Sequence, residues 1–261
     1  MLNLTPRLSR DGKLAETGRG WLLSIPAGSR YRYRLSQLDD HLGIARRRYP
    51  WRPPLNMGLE ARVSAGNLPG TWGFGLWNDP YGFSFGPGNG FLRLPALPDT
   101  AWFFYSSQNS HLSFRNDMPA NGLLAQAFAS PGFSPRLLLA GAAFPFSRPA
   151  TRRILSRIIR ELSARITLDG ATPAGTPAAQ AATQWRAYDL EWLTERTRFL
   201  VDGQCVLDAP FSPGGPLGLV IWIDNQYAGF YPDGRIRWGL EGNPEPAWVE
   251  IRDLELHTEN H

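Results

Sequence analysis

Turn-forming residues interrupt this chain every few positions: 27 glycines and 23 prolines are spread through 261 residues, with aromatic and aliphatic runs between them. A helical bundle needs long unbroken amphipathic stretches, whereas an all-β fold uses many short strands joined by Gly- and Pro-containing turns. The punctuation therefore predicts an all-β chain. With 43% hydrophobic residues there is enough apolar material for a sizeable core, and the length suits one domain over 1–261.

Individual runs carry strand signatures. Residues 21–28 (WLLSIPAG) and 31–40 (YRYRLSQLDD) read as neighbouring antiparallel strands. Over 56–66 (NMGLEARVSAG), Met57, Leu59, Ala61 and Val63 alternate with Glu60, Arg62 and Ser64, the pattern of a half-buried strand. In 70–78 (GTWGFGLWN), Trp72, Phe74 and Leu76 share one side while Gly73 and Gly75 occupy the other. Glycine inside a strand marks close approach of another segment or a ligand, so that face is expected to underlie a cleft, rimmed by the loop over 79–90. Further strands are expected over 101–112, 122–130, 185–192 and 197–201, with Asp202-Gly203 supplying a positive-φ hairpin turn. The chain closes on an apolar strand ending at Trp222 and an alternating one from Ala247.

One segment departs from this pattern. Ile154, Leu155, Ile158, Ile159, Leu162 and Ile166 recur at helical spacing, which predicts one amphipathic helix over about 150–166. Its other face carries Arg152, Arg153, Arg157, Arg160 and Arg165, so it is a candidate membrane-surface or partner helix. Packing of its apolar stripe on the outside of the sandwich, or over its cavity, is the plainer expectation. Residues 169–183, small and Pro-dotted, are expected to form a flexible excursion.

The net charge of +4 comes almost wholly from arginine, Lys13 being the one lysine. The cations are spread along the chain without a basic stripe interleaved with aromatics, which argues against nucleic acid as a partner. The single Cys205 allows no internal disulfide and is expected to be a buried thiol. The first twenty residues lack the apolar stretch of a signal peptide and no run approaches a membrane span, so a cytoplasmic location is expected. The four histidines and the acids show no metal-ligand spacing, and no cofactor or metal is expected. Nothing in the sequence specifies an oligomeric state.

The runs YDLEWLTERTRFLVDGQ, PLGLVIWIDN and AWVEIRDLEL, with LEARVSAGNLPGTWGFGLWN before them, resemble the concanavalin A-like lectin and glucanase superfamily, in particular family 16 glycoside hydrolases. The resemblance covers roughly residues 55–80 and 185–256. It implies a jelly-roll β-sandwich of two antiparallel sheets. In that family the catalytic strand reads Glu-x-Asp-x-x-Glu, placing a nucleophile and a general acid toward one bound sugar. The corresponding strand here, TAWFFYSSQNSHL over 100–112, contains no carboxylate, so neither acid is carried over and no catalytic residue is assigned.

What remains on that strand is a recognition surface. Phe103, Tyr105, Ser107, Asn109 and His111 would share one face and Trp102, Phe104, Ser106, Gln108 and Ser110 the other; alternation leaves open which one lines the cleft. Aromatic rings beside amides and hydroxyls suit a sugar, which has an apolar C–H face and a hydroxyl rim. Candidate ligand-binding residues are therefore Trp102, Tyr105, Gln108, Asn109 and His111, with Trp77 and Asp79 from the preceding strand and loop and Trp222, Asp224, Asn225 and Tyr227 from the polar burst after the apolar strand. The first expectation is a non-catalytic, glycoside-hydrolase-like protein binding a carbohydrate or another small amphipathic ligand. One alternative is a hydrolase with a rearranged site using Asp39, Asp79, His111 or Asp224, for which a perturbed carboxylate facing the cleft would be the mark. Another is a membrane-peripheral scaffold acting through the basic helix. Asp39, Asp40 and His41 are expected to serve a turn or the surface, since adjacent strand residues face opposite ways.

Overall fold

A computed structural model describes residues 2–80, 96–113, 116–130, 163–168, 177–232 and 235–258. Within these residues two seven-stranded sheets stack face to face and a three-stranded sheet stands beside them. The first sheet takes the order β1 (Thr5–Leu8), β4 (Leu35–Asp39), β14 (Gly218–Asp224), β6 (Thr71–Trp77), β7 (Thr100–Ser106), β9 (Gly122–Phe128), β10 (Ser163–Thr167). The second runs β13 (Gln204–Ala209), β12 (Thr197–Val201), β11 (Arg186–Trp192), β5 (Leu55–Val63), β17 (Ala247–Thr258), β3 (Gly20–Ile25), β2 (Lys13–Thr17). All pairings in both large sheets are antiparallel. The small sheet is β16 (Ile236–Leu240), β15 (Gln226–Phe230), β8 (His111–Leu112). This is the jelly-roll sandwich that the sequence predicts.

The sheets differ in a way that locates the site. β5 alternates between buried and half-buried positions along all nine residues, with Leu55, Met57, Leu59, Ala61 and Val63 inward. Its other face is a surface where Arg62 and Arg252 lie over the rings of Trp185 and Trp248, at 4.1 to 5.6 Å, and pair with Glu250 and Glu60. In β14, by contrast, all seven residues are buried. Both faces of the first sheet are therefore withdrawn from solvent at its centre, as the near-continuous apolar run GLVIWID implies.

The core between the sheets is aromatic. Phe103 meets Tyr188 and Phe199 edge-on with ring centroids 5.0 and 5.3 Å apart, and Phe74 meets Tyr188 at 5.1 Å. Edge-to-face geometry places the positive ring edge on a neighbouring π face, which adds to the gain from burial.

Several expectations need correction. The runs 21–28 and 31–40 do not pair: β3 lies in the second sheet and β4 in the first, so the Pro26–Arg34 connection crosses between layers. Residues 163–166, expected to end the helix, belong to β10, where the unpaired edge of β9 offers them a ladder and Arg165 opposes Gln126. The earlier part of that segment, with Arg152, Arg153, Arg157 and Arg160, lies outside the described residues, as do residues 81–90 of the expected rim. Part of the expected excursion instead forms a short helix, α1 (Ala178–Ala181), with Ala178 and Ala182 buried against the core. Cys205 is exposed, not buried, because β13 is the sheet edge and a register shift near Leu200 follows its hairpin. That hairpin turns as expected on Asp202 and Gly203, at φ 49° and 78°.

Phe103→Ala empties the centre of the ring cluster. The expected loss is about 3–5 kcal/mol of unfolding free energy, measured by chemical denaturation; a loss below 1 kcal/mol would contradict the packing described.

Candidate functional site

Alternation on β7 settles which face looks where. Phe103 and Tyr105 point into the sandwich, while Thr100, Trp102, Phe104 and Ser106 point away from it. Register carries that outer face across the neighbouring strands. One row runs Gln37, Trp222, Gly73, Phe104, Leu124, and the next Asp39, Val220, Gly75, Trp102, Gln126, Arg165.

The two glycines create the space that the aromatics fill. A Cβ on Gly73 would sit 2.7 Å from Cη2 of Trp222, and one on Gly75 would sit 2.6 Å from Cβ of Trp102. The Trp222 indole consequently lies low across β6 at Gly73, while at Gly75 it is the β7 backbone and the Cβ of Trp102 that come close. Trp102 stacks on Phe104 at 5.2 Å and meets Trp222 at 5.4 Å and Trp77 at 6.0 Å. Each indole N–H is already committed: Trp77 to Nε2 of His41 at 3.1 Å, Trp102 to Oε1 of Gln126 at 3.1 Å and Trp222 to Oγ1 of Thr71 at 2.9 Å. Trp77 and Trp102 remain half-exposed, so they present ring surface and not N–H to anything bound above them.

Polar groups frame these rings. Asp224 accepts from Oγ1 of Thr71 at 2.7 Å, from the amides of Thr71 and Gln226 at 3.2 Å and from the Tyr33 hydroxyl at 3.3 Å. Burial pushes its carboxyl up to about 6 in spite of those donors. Burial and the Asp224 charge together push the Tyr33 phenol well above its usual range. At the other end, Asp99 is also pushed up to about 6 by burial, although it accepts from the amides of Ser130 at 2.8 Å and Gly214 at 3.3 Å. Four buried polar atoms on this face have no hydrogen-bond partner among the described residues: Thr100 Oγ1, Ser106 Oγ, Arg7 Nε and Arg165 Nε.

Asp39 and His41 are buried, and Asp40 is half-buried with its side chain only 5% exposed, rather than at the surface. Nδ1 of His41 lies 3.2 Å from the Leu219 carbonyl and 3.5 Å from Asp40, and Nε2 faces the Trp77 N–H. An indole N–H only donates, so the imidazole proton sits on Nδ1. Asp39 accepts from Gln37 at 2.8 Å and pairs with Arg7 at 3.5 Å, while Asp40 accepts from the Leu219 amide and the Trp51 indole. The trio ties β4 to β14 and supports Trp77 from below.

The sequence candidates divide accordingly. Trp77, Trp102, Trp222 and Asp224 come together on the outer face. Tyr105 is a core residue stacked on Trp72 with its hydroxyl on the Leu68 carbonyl, because β7 alternation turns it inward. Gln108 and Asn109 are exposed in the turn after β7, since the strand ends at Ser106. Asn225 is fully buried, accepting from the Arg34 amide and donating to the carbonyls of Arg32 and Glu241. Tyr227 and His111 belong to the small sheet, Tyr227 across Gly239 and His111 stacked on Tyr231 at 4.7 Å. Asp79 takes φ 47° and is buried, its carbonyl accepting from Arg46. Thr71, Gln37, Gln126, Tyr33 and Arg165 were not legible as site residues; only the strand register, which brings them beside the tryptophans, would have found them. Among the described residues no group of three His, Cys, Asp or Glu side chains could hold a metal ion, and no helix is long and apolar enough to cross a membrane.

Two predictions follow from this geometry. Gly73→Ala should destabilise by roughly 1–3 kcal/mol through overpacking against Trp222, whereas Gly18→Ala, with open space around it, should leave the midpoint unchanged; equal effects in thermal unfolding would contradict the close approach. Asp224, ordinarily near 3.8 and here about 6, binds its proton more tightly folded than unfolded. That contribution is fully present below about pH 4 and is lost as pH rises through 6, an amount of roughly 3 kcal/mol. Asp224→Asn should flatten the stability profile between pH 4 and 6, and an unchanged slope would contradict the burial of the carboxylate.

No protein-family model matches the chain, and no curated protein matches it. Solved structures are similar to it at 10–14% identity. A legume lectin-like domain from Entamoeba histolytica is 12% identical over 98% of this chain and 90% of its own, with a TM-score of 0.46. A β-glucanase from Bacillus licheniformis is 12% identical over 95% and 82%, with a TM-score of 0.48. An endo-1,3-β-glucanase catalytic domain from Thermotoga petrophila is 12% identical over 95% and 75%, with a TM-score of 0.43. Among the solved structures similar to this chain are thus a lectin-like domain and glucanases.

Proposed function

We propose that this protein binds a carbohydrate on the outer face of the first sheet and does not hydrolyse it. The observation that carries the reading is the cluster of Trp77 and Trp102, both half-buried, against the buried Phe104 and Trp222, on a face where four buried polar atoms have no hydrogen-bond partner among the described residues. A pyranose offers an apolar C–H face to such rings and hydroxyls that both donate and accept. An unmade hydrogen bond at a buried site costs about 1–3 kcal/mol, which ligand hydroxyls or ordered waters recover.

The spacing of Asp39 and Asp224 supports the non-catalytic part. Asp39 and Asp224 lie on this face, but Asp39 opposes Val220, four residues from Asp224 along β14. At about 3.3 Å per residue they are about 13 Å apart along the strand. Retaining glycosidases need ~5–5.5 Å and inverting ones ~6.5–9.5 Å between their carboxyls. The elevated pKa of Asp224 is the mark expected of an enzyme, yet its oxygens are already engaged by Thr71, Gln226 and Tyr33.

The test is thermal unfolding against a panel of β-glucan oligosaccharides, read at once and after a day. A ligand at a hundred times its dissociation constant adds about 2.7 kcal/mol, which moves the midpoint by roughly 5–10 °C. A stable rise in midpoint that disappears in Trp102→Leu, with cooperative unfolding retained, is the expected result. A rise that fades as the oligosaccharide is cut would establish catalysis instead, and no rise with any sugar would overturn the carbohydrate reading.

A further inference from the structure

We infer that a second site, for the sulfate or phosphate ester of a small polar molecule, lies between the β1–β2 turn and the β3–β4 connection. A cavity of about 620 Å³ opens there, lined by four cationic residues, Arg10, Lys13, Arg32 and Arg34, and by a single acidic one, Asp11. None of the four stands on the outer face of the first sheet, so the inference is independent of the carbohydrate reading.

The charge is uncompensated. Asp11 engages Arg32 at 3.4 Å, and the side chains of Arg10 and Lys13 have no ionic or hydrogen-bonded partner among the described residues. Like charges gathered around one cavity repel each other and raise the local concentration of anions. Arg34 gives the site a fixed floor. It is only 2% exposed, donates from Nη1 to the Ser29 carbonyl at 3.0 Å and from Nη2 to the Gly28 carbonyl at 3.1 Å, and keeps a buried Nε with no partner. Residue 28 must be small for this, since a Cβ there would sit 2.6 Å from Nη1.

Ligand class follows from charge, shape and size. Guanidinium groups match the geometry of tetrahedral oxyanions and hold them with paired hydrogen bonds. The volume lies within the ~300–1,000 Å³ of small-molecule pockets, larger than a bare oxyanion fills. At the mouth Tyr31 is 83% exposed, with the Arg30 guanidinium 5.5 Å from its ring centroid, offering a flat surface to the body of an ester.

Calorimetric titration of the full chain at low ionic strength with glucose 6-phosphate, glucose 6-sulfate and inorganic phosphate tests this, alongside the variant Arg10→Glu with Lys13→Glu. Both substituted residues are exposed, and an unchanged thermal midpoint confirms that the variant is folded. The charged probes are expected to saturate the natural protein and to bind the variant at least tenfold more weakly, with Trp102→Leu leaving them unaffected. Tighter binding of the esters than of inorganic phosphate assigns the site to an esterified ligand; equal binding assigns it to the free ion, and overturns the ester. Absence of binding by every charged probe, or affinity within twofold in the variant, overturns the site altogether.

Discussion

The passage of the Trp222 indole over Gly73, beside the close approach of β7 at Gly75, organises the outer half of this molecule. Without a side chain at 73, β6 leaves room for the ring of Trp222 from β14, and without one at 75 it lets the backbone and Cβ of Trp102 from β7 come close. A side chain at 73 would lift the Trp222 ring off the sheet. Here the Trp102 and Trp222 rings lie close enough to touch one another, and Phe104 and Trp77 extend the same surface. Glycine weakens a strand by its extra backbone freedom; burial of large aromatic surface offsets that cost.

Hydrogen bonds then fix where the rings can go. Thr71 holds the Trp222 indole and is itself bound to Asp224, which receives Tyr33 from the β3–β4 connection. Asn225, next in the chain, joins the same connection to Glu241. At the opposite end, His41 supports the Trp77 indole while Asp40 and Asp39 bind β14 and β1. A buried network of this kind orients its members only while every link is present, because each unpaired group inside the protein is costly. The aromatic surface is therefore held in one arrangement before any ligand arrives, and less binding energy is spent on ordering it.

Much of the fold was legible in the sequence because its signals are local. Alternation over Met57 to Val63, the positive-φ pair Asp202-Gly203 and the glycines of β6 each need only a few neighbouring residues to be read. Residues 163–166 misled because their helical spacing continues the preceding run, while the open edge of β9 decided their conformation. The burial of Asp39, Asp40 and His41 was hidden for a related reason: their partners Arg7, Trp51, Trp77 and Leu219 are distant in sequence and meet them only through strand register. The site was half visible. Tryptophans announce themselves, but Thr71, Gln126 and Arg165 become site residues only by lying beside those tryptophans in neighbouring strands.

The central claim is that the outer face of the first sheet is where a sugar binds. Indole N–H resonances, assigned by substitution and followed by two-dimensional NMR during titration with a β-glucan oligosaccharide, address it most directly. The account predicts saturable shifts for Trp77 and Trp102, with Trp72 and Trp192, both fully buried in the core, unmoved. Shifts confined to other tryptophans, or none at saturating oligosaccharide, would contradict it.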